Sequence, residues 1–347
     1  MGNLNLIESL ISDDSLRNVS CKVFGQESVS SVAINRLASL FKMVFQNVEI
    51  ERIQNLFEFI LLFWKYSSEP MVFEFLKFII TSNSMEQVQF YLLENDVVNF
   101  TFKLLNDTDH DNEEMVSSLM KIVTMLGSSS IFMEQFEIIP CNILDSYLNT
   151  NINTIKNNLW EMIKEITFNF NVGVMEKYIE IAKELLYDSY SKVNLYIVHC
   201  LDFLAKIAQF ESDFHFADKQ FLQVLIRLII QFPNCSFLIN EIFYLIKCLI
   251  DNNKTVESVL TNMVPFFCHI STMPEITSAS SNCHKILNYI TNIMQSNTSI
   301  KEILSKLDLY EEYFKYDYKP YQAKLTSNYG GSIYKYNICR SNSDDLF

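Results

Sequence analysis

Apolar residues recur along this chain every three or four positions, as Met115, Leu119, Met120, Ile122, Val123 and Leu126 do in EEMVSSLMKIVTMLG. That spacing predicts helix faces rather than the period-two alternation of strands. In many stretches the apolar positions wrap most of the way round, so these helices are expected to be sandwiched between others instead of lying on a surface. The long helices are predicted to stop at Asn83, Gly127, Asn169, Ala208, Asp251 and Gln295, at successive spacings of 44, 42, 39, 43 and 44 residues. A period of that size predicts stacked helical repeats, each burying its apolar face against the next.

The segments after the first three stops repeat as well: SMEQVQFYLLENDVVNFTFKLLND, SSSIFMEQFEIIPCNILDSYLNT and FNVGVMEKYIEIAKELLYDS. Each reads as a polar turn, a Met-Glu-Gln or Met-Glu-Lys opening (Met85–Gln87, Met133–Gln135, Met175–Lys177), and two amphipathic helices. Thr255-Val256-Glu257 and Ser299-Ile300-Lys301-Glu302 open similar segments less clearly. Turn residues of helix-capping type, with an acid in the first turn to complement the helix dipole, mark these starts. The pattern predicts three helices per repeat, the first short and the third long.

Glu86-Gln87-Val88-Gln89-Phe90-Tyr91-Leu92-Leu93-Glu94, followed by Val97-Val98 and Leu104-Leu105, resembles the armadillo repeats of importin-α and β-catenin, most clearly over residues 69–210. The resemblance implies an all-α, right-handed α-solenoid, armadillo-like or HEAT-like, over residues 1–316, with a tyrosine-rich tail at 317–347. It also implies that third helices line a groove for an extended peptide. Importin-α holds nuclear localisation signals on a ladder of Trp-x-x-x-Asn pairs, but here Trp160 is followed four residues on by Lys164 and Trp64 by Ser68. The chain therefore departs from that ladder and reads as a divergent adaptor.

Composition sharpens the picture. Only six glycines and six prolines occur in 347 residues, against 49% hydrophobic residues, leaving little material for tight turns or phosphate-cradling loops. The net charge of −14 lacks the basic footprint that nucleic acid or an anionic membrane requires, so neither is an expected partner, whereas a basic protein or peptide is. The opening MGNLNLIESLISDD has no signal-peptide or myristoylation pattern, and the apolar runs Phe57–Trp64 and Phe221–Phe232 are too short to span a bilayer. Eight singly spaced cysteines fit small core residues in a reducing compartment, the cytoplasm or nucleus.

Candidate chemistry is sparse. No dinucleotide, P-loop or nucleophile-elbow glycine motif is present. The acidic run Asp107–Glu114 has Asn112 and Ser118 where a calcium loop needs its glycine and bidentate glutamate, and so reads as a solvated loop. The pairs His199-Cys200, Cys268-His269 and Cys283-His284 put adjacent residues about 100° apart on a helix, which disfavours a shared metal. Neither catalytic residues nor a metal or cofactor is expected. The expected function is a non-enzymatic protein-binding adaptor or scaffold. Its groove positions are Ser118, Trp160 and His199, with Lys121, Lys164 and Asp202 about one turn later. The alternatives are a regulatory subunit docking on a kinase or phosphatase, a divergent nuclear-transport adaptor, and an enzyme built on a solenoid. Eight tyrosines accumulate from Tyr310 to Tyr336, around Gly330-Gly331 and ahead of the terminal SNSDDLF, and this tail is a candidate for folding back on the last repeat or the groove.

Overall fold

The computed structural model describes residues 14–170, 172–188, 190–210, 216–273 and 277–320. Every regular element among them is helical. The chain divides into two compact units, Met1–Met175 and Glu176–Phe347.

Unit 1 contains α1 (Ser15–Phe24), α2 (Ser31–Asn47), α3 (Ile60–Phe63), α4 (Pro70–Thr81), α5 (Glu86–Glu94), α6 (Val97–Asp107), α7 (Glu113–Gly127), α8 (Cys141–Leu148) and α9 (Asn153–Ile166). Short 3-10 helices separate many of them, at Ile50–Arg52, Gln54–Phe59, Trp64–Tyr66, Asn83–Met85 and Ser130–Phe136. The long helices α2, α4, α7 and α9 pack each on the next. Phe41, Phe63 and Phe75 form an edge-to-face cluster with ring centroids 5.1–5.7 Å apart. Each is fully buried, and each such ring contributes about 1.5–3 kcal/mol by leaving water.

Helix α10 (Val172–Tyr187) crosses the unit boundary. Unit 2 continues with α11 (Leu195–Phe210), α12 (Lys219–Gln231), α13 (Ser236–Asp251), α14 (Val256–Ser271), α15 (Ser278–Met294), α16 (Thr298–Leu304) and α17 (Asp308–Tyr313). A single π-helical turn, Phe314–Tyr318, carries α17 past residue 316, where the sequence pattern ends the solenoid. The remainder of the 317–347 tail, from residue 321, lies outside the described residues, as does the opening segment 1–13.

The predicted helix stops fall close to the observed ends of α4, α7, α9, α11, α13 and α15. The three-helix reading holds only in part. After residues 83 and 127 the repeat does consist of short elements followed by a long helix, because Asp96 adopts a left-handed conformation (φ 52°) between α5 and α6, and Pro140 precedes α8. From α10 to α15 each interval between predicted stops holds two helices, and the last segment holds the two short helices α16 and α17. The segment after Asn169 is one uninterrupted helix, and α14 runs straight through Pro265.

Hydrogen bonds repeat the same period. Trp64 Nε1 donates to Thr101 Oγ1 (2.9 Å), Tyr147 Oη to the Leu105 carbonyl (2.9 Å) and Gln135 Nε2 to the Leu93 carbonyl (2.5 Å). In unit 2, Ser258 donates to the Ala217 carbonyl (3.3 Å), and Arg227 Nη2 gathers the carbonyls of Leu186, Tyr187 and Asp188 at 2.8–3.0 Å. The partners stand 37–42 residues apart, so each repeat satisfies polar groups of its immediate neighbour, the nearest-neighbour economy of a repeat protein. Gly127 permits one such close approach. A Cβ there would lie 2.8 Å from Ile166 Cγ2.

Candidate functional site

A helix buried between neighbours retains one narrow strip of its circumference for solvent, and side chains three or four positions apart share that strip. On α11, between Tyr196 and Ala208, the side chains that escape burial are His199, Asp202 and Lys206. On α13, between Leu238 and Ile250, they are Asn240, Glu241, Tyr244 and Lys247, with Asp251 exposed at the end. Helix α13 packs against both α11 and α15, where His284, Lys285, Asn288 and Tyr289 escape burial, and the three strips form one polar face within unit 2.

Neighbouring strips are tied together on this face. Tyr244 Oη donates to Gln209 Oε1 (3.1 Å), Asn282 Nδ2 donates to Asn240 Oδ1 (3.2 Å), and Tyr289 donates its hydroxyl proton to Asp251. Lys247 Nζ sits 5.2 Å from the centroid of the Tyr289 ring, a cation–π arrangement. Burial, the nearby Cys248 and the Asp202 charge push the Tyr244 hydroxyl above its ordinary value, and burial and Asp251 do the same to Tyr289. Both phenols therefore stay protonated and can donate at neutral pH.

Two adjoining hollows open on the face and share Tyr244 and Lys247 as a common wall. One, of about 370 Å³, runs from Gln209 to Asp251, Asn252 and Lys254. The other, of about 520 Å³, lies between α13 and α15 and combines Asn240, Asn282 and Lys285 with the apolar Phe243 and Ile286. Amides that reach main-chain groups, an apolar floor for an anchor residue and lysines at the rim are the ingredients of a cleft that holds an extended segment. The face does not share the chain's acidity: Lys206, Lys247, Lys254 and Lys285 outnumber Asp202, Glu241 and Asp251.

The groove positions read from the sequence are placed as follows. Ser118 and Lys164 are partly exposed and Lys121 fully so, on the long helices of unit 1, while His199 and Asp202 lie on the α11 strip. Lys164 Nζ pairs with Glu165 at 3.3 Å. Trp160 is corrected: it is 1% exposed, so it offers no surface to a partner. The reason is rotational. On α9 the partly exposed positions are Lys156, Asn157, Glu161, Lys164 and Glu165, and because a helix turns about 100° per residue Trp160 faces the core although Glu161, one position on, does not. Of the residues of this face that the repeat count missed, Asn282, Lys285 and Tyr289 lie on α15, and Asn240, Tyr244, Lys247 and Asp251 on α13 carry a signal of their own. Polar residues recur at three- and four-residue steps inside the otherwise apolar run LINEIFYLIKCLID.

The remaining candidate chemistry disperses. Among the described residues no group of three or more His, Cys, Asp and Glu side chains is arranged to hold a metal ion. Cys268 and Cys283 are buried, and desolvation pushes both thiols up, that of Cys268 to about 12, which suppresses the thiolate a nucleophile or ligand requires. His269 and His284 are exposed, and His284 Nδ1 lies 3.3 Å from Tyr313 Oη. His110, in the acidic run, stacks on Tyr147 with centroids 4.2 Å apart. No single helix among the described residues is long and apolar enough to cross a membrane. The described residues form an all-α, repeat-like stack of helices; the chain matches no family model and no curated protein sequence.

Proposed function

We propose that this chain is a non-enzymatic peptide-binding protein, an armadillo-type or HEAT-type right-handed solenoid whose α11–α13–α15 face in unit 2 holds an extended segment of a protein partner. The observation that carries the reading is the pair of hollows sharing Tyr244 and Lys247, floored by Phe243 and Ile286 and flanked by the Asn240–Asn282 pair. Amide side chains in this position hold peptide groups without regard to sequence, and the apolar floor and lysine rim select side chains. The local balance of lysines over acids favours a neutral or acidic segment over the basic one that the net charge of −14 suggests.

The test is a selection of dodecamer peptides on the full chain, followed by affinity measurement with wild type and with Tyr244→Ala and Lys247→Ala. Peptides that bind wild type are expected to lose at least about tenfold in affinity with either variant, the ~1.4 kcal/mol of one well-placed contact. Equal affinity for all three proteins would remove the face from consideration.

A second reading, a regulatory subunit docking on an enzyme such as a kinase or phosphatase, is supported by a different surface. In unit 1, Ile138 is 83% exposed and Phe168 46% exposed, and both border a hollow of about 420 Å³ with Ile139 and Phe170. Apolar side chains grouped on a surface are characteristic of docking sites.

A further inference from the structure

We infer that the α13–α15 hollow of unit 2 is occupied in the resting protein by the chain's own segment Ser341–Phe347, which a binding partner must displace. This rests on the peptide-groove reading and names that groove's first ligand.

Three observations converge. The first is where the chain leaves the described structure. Tyr313 lies against His284, Tyr310 and Thr291 are linked at 2.9 Å, and Tyr318 Oη donates to Asn288 Oδ1 (3.0 Å). All three contacts fall on α15, the helix that supplies Asn282, Lys285 and Ile286 to the hollow. Asn288 is one position from Tyr289 and three from Lys285, so the final segment starts out at the edge of the groove.

The second is length. Residues 321–347 make 27 positions, and an extended chain covers about 3.3–3.6 Å per residue. The segment therefore reaches any point of the α13–α15 face with residues to spare. A tethered occupant also acts at an effective concentration on the order of millimolar, so modest contacts suffice.

The third is complementarity. Ser341-Asn342-Ser343-Asp344-Asp345-Leu346-Phe347 offers two adjacent carboxylates followed by two large apolar side chains. The hollow offers the reverse: Lys247 and Lys285 at its rim, Lys254 on the adjoining hollow, and Phe243 and Ile286 as its floor. A volume of about 520 Å³ accommodates a phenyl ring together with a neighbouring leucine. The lysine-rich face that is unusual in a chain of net charge −14 thus finds its match within the same chain.

Zero-length carbodiimide cross-linking of the full chain at low concentration, read by peptide mass spectrometry, tests the inference. Asp344 and Asp345 are expected to join Lys247, Lys254 or Lys285 in preference to Lys77 and Lys121, exposed lysines of unit 1. The preference should fade with salt, since the Debye length falls from about 30 Å at 0.01 M to 3 Å at 1 M. It should also be lost in Leu346→Ser/Phe347→Ser, which keeps both carboxylates. Mixing isotopically heavy and light chains distinguishes an intrachain contact from one between copies. The inference is overturned if the carboxylates join lysines of both units equally, if the double serine variant cross-links like wild type, or if heavy–light products dominate. Peptide selection repeated on the double serine variant separates the two failures. Peptides that still require Tyr244 and Lys247 leave the groove standing without its internal occupant, and peptides indifferent to both remove groove and occupant together.

Discussion

Units 1 and 2 carry out the same stacking with different parts. In unit 1 the long helices are separated by short helices and 3-10 turns, and every such break exposes carbonyl and amide groups that need partners. Buried and half-buried side chains supply them. Gln89, 4% exposed, donates to the carbonyls of Ile79, Ile80 and Ser82 at 2.9–3.0 Å, Gln135 bridges the Leu93 carbonyl and the Val98 amide, and Tyr147 reaches the Leu105 carbonyl. In unit 2 two helices, with fewer breaks, fill each interval from α10 to α15. There three side-chain pairs, Tyr244–Gln209, Asn282–Asn240 and Tyr289–Asp251, lie on an open face beside two hollows. The contrast teaches that polar residues between repeats occupy two settings: in unit 1 they are buried or half-buried and complete the fold, and in unit 2 they border hollows that open to solvent.

That contrast is broken most forcefully by removing a buried group from unit 1. Trp160→Ala should cost about 3–5 kcal/mol through the cavity it leaves and lower the unfolding midpoint in urea accordingly. A small effect would mean that the ring is not the packing element its 1% exposure implies. Gly127→Ala is expected to cost about 1–3 kcal/mol, because the new methyl meets Ile166 Cγ2 at 2.8 Å at the close approach of α7 and α9. Thermal unfolding of the variant measures it.

Tyr147→Phe sharpens the comparison with less force. Losing the bond to the Leu105 carbonyl should cost about 1 kcal/mol at neutral pH. Burial and the Asp109 charge push the Tyr147 phenol up to about 12. Its contribution is therefore complete below the unfolded value of about 10 and is lost as the pH rises towards 12. The variant should lose less stability than wild type over that alkaline interval, and identical alkaline unfolding curves would count against the buried bond. On the open face of unit 2, Tyr244→Ala and Lys247→Ala should each change stability by no more than about 0.5 kcal/mol, so that any loss of binding reports contact rather than unfolding.

Much of the fold is legible in the sequence because helix burial is written as periodicity, and the ends of α4, α7, α9, α11, α13 and α15 lie near the predicted stops. The number of helices per repeat is less so. FNVGVMEKYIEIAKELLYDS has the same polar opening as its counterparts in unit 1, yet nothing in it interrupts a helix as Asp96 or Pro140 does. The site was the hardest part to read. Counting repeats places the helix ends within about three residues, but even a one-residue error turns a side chain by about 100°, which separates the buried Trp160 from the partly exposed Glu161 beside it. The spacing of Asn240, Tyr244, Lys247 and Asp251 within an apolar helix gives the strip directly, without any register between repeats.

The central claim, that the α11–α13–α15 face is a peptide-binding surface, is tested most directly by titrating a selected dodecamer into wild-type protein and Lys247→Ala at matched helical content and unfolding midpoint. The account predicts a dissociation constant at least about tenfold weaker for the variant with its fold unchanged. An unchanged dissociation constant in a folded variant would contradict it.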